Sequence, residues 1–388
     1  MPISNLGRRA APAVAALTLV AATGAAAPKW TLLPAVPLPA VAANSQLHTI
    51  TAVSARDVWT AGAWWDRSGV HPLAVHWDGA GWKAAALPAL PPDTYLSGLD
   101  AVDAGDVWAV GSTLTSAGPT TPATPSLLHY DGSAWRTVPG PALPAGSAND
   151  LEAVAMRTAG DGWAVGETST GTLTQPLILR WRDGKWTGSP VPKPASSTGG
   201  LVAVAAAAPD DVWAVGTETD AGLARHGLIL HFDGVAWSRV ALSTPAGTSL
   251  DAVAVAGPGD VWAAGRTCGP ACAAAVWRLA PSGWQRVPAA GGTGVTALVA
   301  FAPDHVWTLG YQALPNNTKS DHVEHWDGKQ LTAEDTGLPQ LPSAAGNQGE
   351  LGSATPIFAA AGDPATGELW AAGWSDPPAV TPRVIHRG

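Results

Sequence analysis

Side chains able to hold a metal, move a proton or cross-link the chain recur in this sequence, and their spacing decides what they can do. Carboxylates stand at Asp57, Asp106, Asp161, Asp211 and Asp260, and again at Asp78, Asp131, Asp183, Asp233 and Asp327. Histidines stand at His76, His129, His231 and His325. Glycoside hydrolysis needs two carboxyl groups set across a cleft, and a zinc site needs several donors in one small sphere. Residues that hold one position of a long repeat meet neither demand, because each lies in its own unit. The Asp positions read as turn residues whose short side chains accept bonds from nearby backbone N–H groups. No catalytic set, metal or cofactor is expected. Cys268 and Cys272 are the only two cysteines and flank Gly269-Pro270-Ala271. A thioredoxin-like pair would have two residues between its cysteines, and zinc would need further ligands close by. A disulfide that staples one loop is the expectation.

The repeat comes from the 20 tryptophans. Near-copies of Asp-Val-Trp-Ala-Val-Gly place Trp59, Trp108, Trp163, Trp213, Trp262, Trp307 and Trp370 at successive intervals of 49, 55, 50, 49, 45 and 63 residues. Strand-like content at such a period indicates an all-β fold, a β-propeller, rather than a helical solenoid. Within the fourth repeat, Leu201 to Ala205 alternates as a strand A. Val212 to Gly216 makes strand B and Leu228 to Phe232 strand C, and Asp233-Gly234 turns the chain into strand D near Trp237. Four antiparallel strands thus form one blade. The seventh repeat ends after its strand C, and Lys29 to Pro34 offers a strand D without a blade. From Trp370 to the C-terminus and on from Pro28 to Trp59 is again 49 residues. Seven blades are expected, the seventh made of 352–388 plus 29–36, with no open sheet edge left between the two ends of the chain.

Six further tryptophans open strand D (Trp30, Trp82, Trp135, Trp186, Trp237 and Trp284) and four lie on strand C (Trp77, Trp181, Trp277 and Trp326), where large rings would pack blade against blade. Trp64, Trp65 and Trp374 are left over, in the loops between strands B and C, as is Tyr311. In a four-stranded meander the B–C and D–A loops emerge on one face and the tight A–B and C–D turns on the other. The long variable connections, and so the ligand, are expected on the first face. Just after the strand B glycine stand Ala63, Ser112, Glu167, Thr217, Arg266, Tyr311 and Trp374. Tyr311, Trp374 and Trp64/Trp65 are expected to form an aromatic arc across blades 6, 7 and 1, with Glu167 and Arg266 among the polar groups opposite. A glycan or peptide stacked on that arc is the binding hypothesis.

Met1 to Ala27 reads as a signal peptide: Arg8 and Arg9 precede an apolar run from Ala10 to Ala22, then small residues. The arginine pair leaves both the general and the twin-arginine export routes open. The run is too short to span a bilayer, no other segment is long and apolar enough, and no basic run offers a nucleic-acid or anionic-lipid footprint at a net charge of −9. A secreted monomeric propeller spanning 28–388 is expected.

The stretch Val107-Trp108-Ala109-Val110, then His129-Tyr130-Asp131-Gly132-Ser133-Ala134-Trp135-Arg136-Thr137-Val138-Pro139-Gly140, resembles the repeats of tectonin-type propeller lectins. The whole mature chain also resembles secreted bacterial proteins built from Asp-Val-Trp-Ala-Val-Gly repeats. The resemblance implies a propeller and an extracellular recognition role toward a glycan or cell-surface protein. A polysaccharide-active enzyme, with Asp66, Glu167, Glu218 and Asp376 as scattered carboxylates, and a scaffold for an exported partner are the alternatives.

Overall fold

The computed structural model describes residues 29–40, 42, 44–114, 123–144, 146–171, 173–192, 198–315, 319–339, 355–375 and 380–388, without the side chains of 355 and 356. The signal-peptide reading and Asp376 lie outside the described residues. So does most of the Asp335–Leu351 stretch that lengthens the sixth interval.

The described residues form seven four-stranded antiparallel sheets and no helix. Each sheet runs A-B-C-D in chain order except the last, where Trp30–Leu32 supplies strand D by pairing with Thr381–Arg387. Trp30 stands opposite Arg387 and Leu32 opposite Ile385, so the two ends of the chain complete one blade. The strands extend beyond their apolar cores: in blade 4 strand A is Thr198–Ala208, B is Asp211–Thr219, C is Arg225–Phe232 and D is Trp237–Arg239.

The strand B tryptophan is the joint between blades. Trp59 packs edge-on against Trp135 of blade 2, Trp108 against Trp186 of blade 3 and Trp163 against Trp237 of blade 4. Trp213 meets Trp284 of blade 5, Trp262 meets Trp326 of blade 6, and Trp307 shares a cluster with Trp30. The circuit closes where Trp370 of blade 7 packs on Trp77 and Trp82 of blade 1. All seven indoles are nearly inaccessible to solvent, and truncating one would cost about 3–5 kcal/mol in transfer and cavity terms.

The Asp residues that open strand B do something other than bind turn amides. Asp57, Asp106 and Asp211 accept from the Nε2 atoms of His76, His129 and His231 at 2.6, 2.8 and 3.0 Å, and each of those imidazoles stacks on its blade's tryptophan. Arg180 and Arg278 replace the histidine on Asp161 and Asp260 and lie over Trp163 and Trp262. The C–D turn residues Asp78, Asp131, Asp233 and Asp327 do accept the expected backbone N–H bonds.

Candidate functional site

The seven A strands sit innermost, each beside the next and the seventh beside the first, and so wall a central channel. Every one is irregular at the same place. Its pairing with strand B slips after Leu47, Leu96, Leu151, Leu201, Leu250 and Val295, and in blade 7 between Thr355 and Ala359. The repeat glycine makes this possible. A Cβ added at Gly62, Gly111, Gly166, Gly216, Gly265 or Gly310 would lie 2.0–2.1 Å from the strand A carbonyl oxygen that crosses it. In blades 1 to 6 the slip leaves one unpaired residue, His48, Ser97, Glu152, Val202, Asp251 or Thr296; in blade 7 the register passes over residues 356–358, with Phe358 next to the resumed pairing at Ala359. His48, Ser97 and Thr296 hydrogen-bond the carbonyls of Leu96, Leu151 and Ile357 on the next blade. Val202 and Phe358, although on innermost strands, are 40% and 39% exposed, so this ring of residues borders open space. The slip lies toward the start of strand A, nearer the B–C and D–A loops.

Two arcs of unlike chemistry occupy this rim. One is aromatic: Trp374 and Phe358 are 5.1 Å apart between ring centroids, Phe358 and His48 5.8 Å, and His48 and Tyr95 6.4 Å. Burial pulls the His48 imidazole down to about 4, with the Leu96 carbonyl opposing it, so this ring is neutral at physiological pH. The other arc is acidic, and Tyr95 joins the two by donating from Oη to Asp150 Oδ2 at 2.6 Å. Asp150 accepts a second bond from Ser112. Burial, then the negative charges of Asp150 and Glu167, push Glu152 up to about 8, and burial with the Asp150 charge also raises Glu167. Burial and the same Asp150 carboxylate raise Tyr95 and keep it a donor. Glu167 lies against blade 4 where there is no side chain: a Cβ on Gly200 would meet its Oε2 at 2.5 Å. In blade 5, burial raises Asp251 against the opposing charge of Arg266, which in turn donates to Tyr311 Oη at 3.2 Å.

The expected site residues are placed as follows. Trp374 faces His48 and Phe358 and is buried, while Trp64 stacks on His71 at 4.1 Å, over the blade 1 core. Trp65 pairs across its hairpin with Val70 and is partly exposed. Tyr311 is buried between Arg266 and the Lys319 ammonium, which lies 4.8 Å from its ring centre. Glu167 joins the acidic arc. Cys268 and Cys272 form a disulfide at the tip of the blade 5 B–C hairpin. Of the scattered carboxylates, Asp66 bonds Ser68 and His71, and Glu218 pairs with Arg239. Among the described residues no three His, Cys, Asp or Glu side chains are grouped as a metal site. His48, Tyr95, Asp150, Glu152, Asp251 and Phe358 are rim residues that motif reading passes over.

No family model and no curated protein matches the chain. Solved structures match over nearly all of it. The structure of YCF48 bound to D1 peptide aligns at 13% identity and TM-score 0.53, covering 92% of this chain and 94% of that one. The WD40 β-propeller domain of Doa1 aligns at 10% and 0.56, covering 92% and 97%. The Trypanosoma rangeli sialidase aligns at 12% and 0.50, covering 93% of this chain and 60% of that one. Identities this low establish a shared fold and nothing finer. The protein is a seven-bladed β-propeller, and among the described residues no helix is long and apolar enough to cross a membrane.

Proposed function

We propose that the protein is an exported recognition module whose ligand, a peptide segment or a glycan, seats over the channel rim on the B–C and D–A face. The observation that carries this reading is the junction of an aromatic arc with a carboxylate arc, closed by the Tyr95–Asp150 bond. Aromatic faces supply contact area at low conformational cost, and carboxylates in poor solvent supply strong acceptors for ammonium, guanidinium or hydroxyl groups. Groups with shifted pKa values gather where such charges are used. That YCF48 is found bound to D1 peptide supports a peptide as one ligand class for this architecture. Screening the mature protein against displayed peptides and a glycan array tests the reading, with the Glu152→Gln, Glu167→Gln double variant as control. Ligands that bind both proteins equally would refute it.

One observation favours a second reading. Glu152 holds its proton near neutral pH beside Asp150, which accepts two hydroxyl hydrogen bonds. An acid that keeps its proton is one of the two carboxyl groups that glycoside hydrolysis sets across a cleft. Release of reducing sugar from a polysaccharide panel, lost in Glu152→Gln, would establish it in place of simple binding.

A further inference from the structure

The described residues expose seven large apolar side chains, and they are unevenly distributed. Leu114, Leu173 and Leu223 stand at the B–C ends of blades 2, 3 and 4. Val202 and Phe358 open on the channel wall, Leu32 lies on the outermost strand, and only Val235 marks the A–B and C–D face. Leu223 is the extreme case, 84% exposed and held at φ 65°. That left-handed conformation crowds a side chain against its own backbone and is the province of glycine and asparagine.

The loop that imposes it is closed by its own hydrogen bonds. Asp220 Oδ1 accepts from the N–H groups of Gly222 and Ala224, both at 2.9 Å, and its Oδ2 is 3.1 Å from His226 Nε2. The Leu223 N–H donates to the Asp220 carbonyl and the Asp220 N–H to the Ala224 carbonyl, each at 3.0 Å. A polar residue or glycine would suit both this backbone and its solvent better. The leucine is held, strained, with most of its surface exposed. A backbone fixed in that way loses little conformational freedom when the side chain it carries inserts into another surface.

We propose that Leu223, with Leu173 and Leu114 on the two preceding blades, is a preformed anchor for a protein partner that offers an apolar socket bordered by basic side chains. This rests on the reading of the B–C and D–A face as the binding face, and it chooses protein over glycan. Sugar rings stack on flat aromatic faces, and a branched aliphatic tip offers none. The basic border follows from charge: Asp220 carries its carboxylate in the Leu223 loop, Asp150 and Glu167 belong to blade 3, the middle of the three blades that carry the leucines, and the chain as a whole has a net charge of −9.

The test is selection of random displayed peptides of a dozen residues on the mature protein, followed by affinity measurement on three variants. Selected peptides should carry Lys or Arg beside an apolar residue. Leu223→Asn should weaken them roughly tenfold or more while leaving the melting temperature unchanged or raised, because asparagine accepts this φ. Leu223→Gly should repeat both results. Peptides that lose affinity with Glu152→Gln, Glu167→Gln but bind Leu223→Asn and wild type alike would overturn the anchor and leave the channel-rim reading standing. Glycans bound while no peptide is selected would also overturn the anchor. Failure of both screens would remove the anchor and the binding function together.

Discussion

Replacing Glu152 with glutamine should make the protein more stable in a pH-dependent way. Glu152 stands on the bulge of an innermost strand, where burial and the charges of Asp150 and Glu167 lift it from an ordinary value of 4.5 to about 8. A pKa raised by folding means that the native state binds the proton more tightly than the unfolded chain. Its contribution is therefore fully present below about pH 4.5 and is lost as pH rises through about 8. The full difference corresponds to at most roughly 5 kcal/mol. Channel water and the sharing of repulsion among three carboxylates reduce the expected effect to about 1–3 kcal/mol. Glutamine keeps the shape and never ionises. Urea unfolding of both proteins at several values between about pH 5 and pH 9 should show near-equal stability at the acid end and a growing advantage for Glu152→Gln toward the alkaline end. A gap that stays constant with pH, or a variant less stable than wild type at the alkaline end, would refute the electrostatic account of the rim.

Trp30→Ala should cost about 3–5 kcal/mol, because the indole is buried at the blade 6–7 seam and donates to Glu334 at 2.8 Å; a loss below about 1 kcal/mol in equilibrium unfolding would mean that the N-terminal strand does not hold the ring shut. Asp321→Asn should cost about 3–5 kcal/mol, since it leaves Arg383, 6% exposed and bonded to Asp321 through both terminal nitrogens, buried without its charge partner. Adding Arg383→Met should recover part of that loss in the same assay. Trp374→Ala should lower the melting temperature clearly and Trp65→Ala little, because only the former ring is buried. Thiol titration of the denatured, unreduced protein should find no free sulfhydryl, and reduction should speed proteolysis between Cys268 and Cys272.

The ring was legible because its parts are written in residues with few alternatives. Indoles that fill the wedge between blades, and a glycine that lets strand A cross strand B closely, leave a repeat visible even at irregular spacing. The closing blade was legible too, since Trp30 follows the style of the other tryptophans that open strand D. The channel rim was legible only by half. Glu167, Arg266 and Trp374 sit at a fixed offset from the repeat glycine and so could be found. Their neighbours His48, Tyr95, Glu152 and Asp251 lie on strand A, which has no fixed marker and whose bulge breaks strict alternation. A signal was there: Leu151-Glu152-Ala153-Val154 and Leu250-Asp251-Ala252-Val253 each set a carboxylate between a leucine and an apolar Ala-Val pair. The turn reading of Asp57, Asp106 and Asp211 failed for a related reason. Sequence shows that a side chain can bond a nearby amide, but a stacked imidazole on strand C is the better partner and is about 20 residues away.

Hydrogen–deuterium exchange of residues 28–388 with and without a saturating selected ligand tests the central claim most directly. Protection should gather on Ala148–Glu152, on the strand A segments around His48 and Asp251, and on the B–C loops of blades 2 to 4. Protection confined to the C–D turns around Asp78, Asp131 and Asp233, or to the outermost strands, would contradict it.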